Sequence, residues 1–308
     1  MPVVRDDMSN LLRGDINPLF MKHFNDAFKN ETTYSLVSTL VKSTKDIERY
    51  AWLGKPAYPT EWIDEREITA LNQEQSYTLT NSKWQTAIEV TQDAIDDEQY
   101  GQVMMQVKQA GAQFANWLDE YIWALQAQGE STAGYDGQYF FSSAHYDAGS
   151  RYSTTQTNLG SSSFSVSALE DTLIAMRKFK DDNGKVAGYR GTDIGVPPDL
   201  EWDVRKTLNS TTYPAGMATG SATTSYVSGG ANPHRGNLGV IVTNKITDAD
   251  AWLVFDNSKP TKAFLLQERK PLTYKKWLNE MRDSQLHGWH WRGVRGFGDW
   301  RCAYSHTP

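Results

Sequence analysis

Over residues 96–128 the apolar positions recur at gaps of three and four: Tyr100, Val103, Met104, Val107, Ala110, Gly111, Phe114, Trp117, Leu118, Tyr121, Ile122 and Leu125. That is the helical period, and it predicts one long amphipathic helix. Asp96, with Gln99 three positions on, forms a capping-box start, and Gly129 is placed to take a left-handed cap at the end. A helix of roughly 30 residues spans about 45 Å, beyond the usual globular length of about 8–20 residues. Such a rod asks what it supports.

The rest of the chain is read around it. Residues 1–47 are polar and mixed, with one short helix over 19–28 whose Phe20, Phe24, Ala27 and Phe28 share a face. In 48–92, Tyr50, Trp52, Tyr58, Trp62, Tyr77 and Trp84 are interleaved with prolines and with Glu61, Asp64, Glu65, Arg66 and Glu67. Broken alternation through Tyr77, Leu79, Trp84, Ala87, Ile88 and Val90 predicts a long hairpin. Its middle is too polar for a core, so it is expected to lie on another subunit. Residues 149–163, rich in Ser, Thr and Gly, read as a surface loop. A second helix is expected over 167–181, capped by Ser167 with Glu170 and ended by Asn183-Gly184. Pro197-Pro198-Asp199 opens a short helix to about Leu208, and 209–236 has no periodic pattern. Residues 238–243, 252–256 and 263–267 read as buried strands. The tail, 283–304, reads as strand with bends at Gly293, Gly296 and Gly298.

Composition narrows the class. The chain has 308 residues, 39% apolar and 22% charged, which suits a folded protein with a sizeable core. Its formal net charge of −6 argues against a dedicated nucleic-acid binder but not against a protein that encloses nucleic acid. The single cysteine, Cys302, rules out an intrachain disulfide and reads as a small buried hydrophobe. No run approaches the ~18 apolar residues a membrane span needs, and the N-terminus lacks a signal-peptide core, so a cytoplasmic compartment and no membrane partner are expected.

Candidate chemistry is sparse. The phosphate-cradling loop, the dinucleotide fingerprint, the His-Glu-x-x-His helix and the nucleophile elbow do not occur. His287 and His290 sit three apart near Cys302 and His306; on a strand they face opposite ways and read as ordinary surface or interface histidines rather than metal ligands. Glu268 beside Arg269, and Asp199 with Glu201, are candidate acid pairs for glycoside cleavage, weighed against solvated ion pairs. Arg13-Gly14-Asp15 is a short match to an adhesion tripeptide without an extracellular context. No catalytic, cofactor-binding or metal residue is expected, and no cofactor. The 11 Trp, 15 Tyr and 11 Phe admit a sugar-binding or glycoside-cleaving protein. They equally suit subunit interfaces, where Trp, Tyr and Arg dominate, and the polar arm and unburied hairpin favour assembly.

Five groups of residues, in order, resemble the Mu-like phage major head subunit family. They are Tyr50-Ala51-Trp52-Leu53-Gly54 with Glu61-Trp62-Ile63, Ile95-Asp96-Asp97-Glu98-Gln99-Tyr100-Gly101, Tyr135-Asp136-Gly137-Gln138-Tyr139-Phe140-Phe141, Gln267-Glu268-Arg269-Lys270, and Gly296-Phe297-Gly298. The resemblance implies an α+β major capsid protein of the Hong Kong 97-type fold. Residues 1–47 become an N-terminal arm, 48–92 an extended loop, 93–186 a peripheral domain with the long helix as its spine, 187–264 an axial domain, and 265–308 a return to the peripheral domain. It implies self-assembly into pentamers and hexamers of an icosahedral head around double-stranded DNA, with a portal and a decoration protein as partners. A cellular nanocompartment shell of the same fold, holding cargo protein, is the related alternative. Some relatives begin with a long, cleaved scaffolding segment. The chain reads as having no room for one before its arm, so a separate scaffolding protein is expected.

Overall fold

Helix α1 (Asn17–Asn30) starts where Pro18 occupies its first turn, a place where a missing amide costs nothing. It buries Phe20 and Ala27. A single turn, α2 (Tyr34–Val37), leads into β1 (Ser38–Lys42). The chain continues as β2 (Ile47–Trp52), β3 (Gln75–Thr80), β4 (Ser82–Thr91) and the long helix α3 (Tyr100–Gln128). Then follow β5 (Leu159–Gly160), α4 (Val166–Lys178), β6 (Asp193–Val196), a 3-10 turn (Pro198–Leu200) and α5 (Glu201–Asn209). The last part is strand: β7 (Gly239–Val242), β8 (Trp252–Phe255), β9 (Phe264–Asn279), β10 (Ser284–Phe297), and, after a 3-10 turn (Trp300–Cys302), β11 (Ala303–His306). The structure, a computed structural model, describes residues 16–52, 75–93, 100–145, 155–181, 184–212 and 231–308. The capping box expected at Asp96, the hairpin residues around Trp62 and most of the patternless 209–236 stretch lie outside them.

Three sheets form. The first has the order β1-β9-β10-β4, with β1 parallel to β9 and the other pairs antiparallel. The second has the order β5-β11-β8-β6-β7, and the third is the β2–β3 ladder alone. The expected hairpin is therefore divided: 47–52 and 75–80 pair with each other. The next strand, β4, carrying Trp84, Ile88 and Val90, crosses to β10 in the first sheet. Alternation along 77–90 could not reveal this, because both strands share the period of two. In the tail, the expected bend at Gly293 is a bulge, with register shifts at His290–Arg292 and Arg292–Gly293.

The core lies between α3, α1 and the first sheet, and runs without a break into the second sheet. Phe20 of α1 stacks on Trp289 of β10 at 4.0 Å, and the Trp289 indole donates to Asn17 Oδ1. Trp117 of α3 meets Trp84 at 4.9 Å and Trp291 at 6.2 Å. Further along α3, Trp123 packs edge-on against Phe255 of β8. The two helices cross at Gly111, where a Cβ would stand 2.6 Å from the Phe20 carbonyl oxygen. A small residue there sets the spacing of the axes.

Two helix ends differ from expectation. Gly129 is not in the left-handed region; its hydrogen atoms make room for the Phe141 ring, which a Cβ would meet at 2.3 Å. Helix α4 is capped by Ser165, whose side chain accepts from the Ala168 amide at 3.1 Å, and not by Ser167. It stops at Lys178, and Gly184 closes a separate turn onto Asp181. The Ser-x-x pattern recurs at 165 and 167; packing of Val166 and Leu169 into the core selects the earlier one.

The second sheet closes on His306. Its ring stacks on Trp252 at 4.0 Å, its Nε2 faces the Thr172 hydroxyl at 2.8 Å, and the Ser162 amide points at its Nδ1. The Thr172 hydroxyl already donates to Ala168 O, so His306 is neutral with its proton on Nε2. Burial pushes its pKa down to about 4. A depressed histidine pKa means that the unfolded chain takes up the proton first. Stability is then full above about pH 6.5 and falls as pH drops towards 4, by about 2–3 kcal/mol. Urea melts at stepped pH are expected to show this slope, and His306→Gln to flatten it; an unchanged slope would place the acid sensitivity elsewhere.

Candidate assembly surfaces

The ladder β2–β3 rises from a polar root built by four segments. Asn81, between β3 and β4, is buried and donates through Nδ2 to the carbonyls of Lys45 and Asp46 at 2.9 and 3.1 Å. Its Oδ1 accepts from Gln267 Nε2 at 2.8 Å, and Gln267 Oε1 accepts from the Tyr50 hydroxyl at 2.6 Å. Gln267 is itself fully buried on β9. One amide pair thus ties the ladder to the first sheet. The turn below is held by Glu48, which accepts from the Thr44 and Lys45 amides at 3.1 Å. Those bonds hold its carboxyl below the usual range. Gln267→Ala is expected to cost about 1–3 kcal/mol, because it strands a buried acceptor. It should raise hydrogen exchange of the ladder amides selectively; unchanged exchange in 47–52 and 75–80 would show that the root does not hold the ladder.

The spine fixes the exit of α1 from the other side. Asp119 of α3 is buried and accepts from the amides of Thr33 and Tyr34 at 2.8 and 2.7 Å, capping the single turn α2. The Trp123 indole donates to the Thr33 hydroxyl at 2.9 Å. Burial pushes the Asp119 carboxyl up, against the pull of the two amides. Arg295 of β10 lies over the Tyr121 ring, donates to the Tyr121 carbonyl and reaches Gln128 Oε1 at 3.1 Å. Asp119 sits beside an apolar stripe and Gln267 ends a run read as a buried strand, and those mismatches are the sequence signals for them; Asn81 carried none, since it interrupts no pattern.

Several exposed apolar side chains among the described residues stand on strands or at turns that could meet another chain. Trp277, Leu278 and Met281 stand at the free end of the β9–β10 hairpin, with Met281 98% exposed. Leu40 is exposed on β1, an edge strand of the first sheet, Leu36 and Ile47 are exposed just before and after it in the chain, and Trp202 is exposed on α5. A strand edge and a hairpin tip with bare apolar groups are surfaces that pair with other chains.

The residues singled out for chemistry separate. His287 is buried and faces the Tyr274 hydroxyl at 2.7 Å, not solvent as a surface histidine would, while His290 lies on the opposite face. Burial among the inward residues Trp289 and Trp291 decides that difference. Glu268 accepts from the Trp291 indole at 3.1 Å, and Glu201 is engaged by Arg205 at 2.7 Å on another element. Cys302 is buried beside Thr261 O, and burial pushes its thiol up, away from reactivity. No group of His, Cys, Asp and Glu among the described residues could hold a metal, and no helix there is long and apolar enough to cross a membrane. The tail aromatics, expected at interfaces, are instead core: Trp289, Trp291, Phe297, Trp300 and Tyr304 are all buried within the subunit. That removes them as sugar platforms.

A spine helix, a two-strand ladder on a polar root and a sheet with a long projecting hairpin define a class. They are the parts of the Hong Kong 97-type fold, and the backbone is similar to that of a chain in the procapsid of bacteriophage JBD30. That likeness has a TM-score of 0.56 at 22% identity, over 96% of this chain and 75% of that one. Within the class, residues 15–165 match the family described as Mu-like prophage major head subunit gpT. The Mu-like prophage FluMu major head subunit of Haemophilus influenzae is 34% identical over 142 residues, 45% of this chain and 46% of that one. The major capsid protein of Escherichia phage Mu is 29% identical over 114 residues, 36% of each. Residues 15–165 of this chain are thus similar to Mu-like major head subunits. The matched region spans less than half the length of either relative.

Proposed function

We propose that this chain is the major capsid protein of a phage head, a structural and non-enzymatic shell subunit. One observation carries the reading: a capsid-subunit backbone over 96% of the chain, joined to a Mu-like head-subunit sequence over 15–165. The subunits form pentamers and hexamers of an icosahedral shell around double-stranded DNA, built in the host cytoplasm. A separate scaffolding protein, a portal and a decoration protein complete the partners. Residues 1–47 serve as arm, 48–92 as extended loop, 93–186 and 265–308 as peripheral domain, and 187–264 as axial domain. The bare apolar groups at the hairpin tip, the β1 edge and Trp202 support self-association, since they have no cover in the single subunit. An acidic wall also suits a container whose DNA must enter and leave, because tight phosphate binding would hinder both. Electron microscopy of the chain expressed with its scaffolding protein should show closed shells or capsomers. A monomer that assembles under no condition would overturn the reading, and shells filled with cargo protein would point to a nanocompartment.

A further inference from the structure

The first sheet has a buried face and an open one. Trp289 and Trp291 of β10 point inward to α1 and α3, so Gly288, His290 and Arg292 point outward. Register then places Lys83 and Lys270 directly on either side of Arg292, and Gln85 and Thr273 on either side of His290. Lys275 stands beside Gly288, and Trp277 crosses that glycine, where a Cβ would meet the indole at 2.6 Å. Lys83, Gln85, Lys275, Trp277, Gly288 and His290 line an open groove of about 480 Å³.

Like charges directly opposite in a sheet oppose folding. Here three cations share one cross-strand row, in a chain whose net charge is −6. Arg292 is relieved by Asp46. Glu89, at the far end of the same face, is taken by Ser284 at 2.5 Å and Arg282 at 3.6 Å. Among the described residues no carboxylate lies within ion-pair distance of Lys83, Lys270 or Lys275. The row is therefore surplus to the fold.

We propose that this open face docks a short acidic, extended segment of a partner protein, its carboxylates on Lys83, Lys270 and Lys275 and its backbone beside Trp277. Patch size selects the class. Lys83 and Lys270 flank one strand and stand about 10 Å apart, and Lys275 lies about 15 Å further along the sheet, a spacing that suits a few carboxylates on an extended segment. A DNA duplex needs a longer basic track, and the acidic remainder of the chain would repel it. His290 reports on occupancy: burial and the fields of Lys270, Lys275 and Lys83 lower its pKa, so a docked carboxylate raises it again. This inference stands on the patch and does not require the shell reading.

The test is fluorescence anisotropy of a glutamate-rich decapeptide on the full chain, with histidine NMR titrations alongside. Binding is expected that weakens as salt rises, an upward shift of the His290 titration, and at least about tenfold weaker binding by Lys83→Glu/Lys275→Glu. Lys83→Gln/Lys275→Gln, whose melt should match the parent because both positions lie at the rim of the open groove, should give an intermediate loss. Peptide binding unchanged in both variants, no binding by the parent chain, preference for a short DNA duplex, or loss of self-association without any peptide effect would each overturn the proposal.

Discussion

Replacing Phe114 with alanine is expected to destabilise the subunit by about 3–5 kcal/mol, the cost of emptying a buried aromatic site. Phe114 sits mid-spine at 6% exposure, with Phe24 of α1 at 6.0 Å and Trp117 at 5.3 Å. It therefore joins the two helices that cross at Gly111. Collapse into the hole is opposed from both sides: Trp117 is held by Trp84, Tyr121 and Trp291, and the helices cannot approach closer than the Gly111 contact allows. Denaturant melts should show a lower midpoint at an unchanged slope. A loss near zero would mean that Phe114 is not a core residue of the folded subunit.

The second large effect is expected at Asp136. This carboxylate is buried against His145, Oδ2 to Nδ1 at 2.6 Å, with both side chains at 0% exposure. The other ring nitrogen, Nε2, faces Asn158 Oδ1 at 3.0 Å. Asn158 cannot turn over, because its Nδ2 donates to the carbonyls of Phe140, Trp300 and Ala303. Both imidazole nitrogens therefore meet oxygen partners, and the ring stacks against Trp300 at 4.0 Å. Asp136→Ala leaves the buried Nδ1 of His145 without its partner and opens a hole beside it, at about 1–3 kcal/mol for the stranded group alone. Asp136→Asn keeps an acceptor and should cost less. Thermal melts of the two variants test this; equal losses would show that the cluster contributes packing and not hydrogen bonding.

That cluster shows where sequence reading stops. Asn158 lies in a stretch of Ser, Thr and Gly that reads as surface loop, yet it is fully buried and organises three backbone carbonyls. A polar residue buried by long-range partners has no local signature, because its hydrogen bonds come from positions 140, 300 and 303. The same holds for Asn81 at the ladder root. Trp289 and Trp291 mislead in the opposite direction: adjacent glycines and arginines make the tail look exposed, and only pairing of β10 with both β9 and β4 brings α1 and α3 down on its inner face. The basic row on the outer face is equally invisible in the sequence, since Lys83, Lys270 and Arg292 are brought together by register alone.

Local chemistry, by contrast, was legible. The three-four spacing from Tyr100 to Leu125 dictated a helix that ends at Gln128, and Pro198 and the apolar runs at 239–242, 252–255 and 264–267 dictated their elements. Those signals depend on side chains a few positions apart, which the backbone period alone brings to one face. Tertiary structure decided what Gly129 is for, which serine caps α4, that β3 and β4 belong to different sheets, and which face of β10 is buried. Each of those depends on a partner far along the chain, and only packing sets which partner arrives.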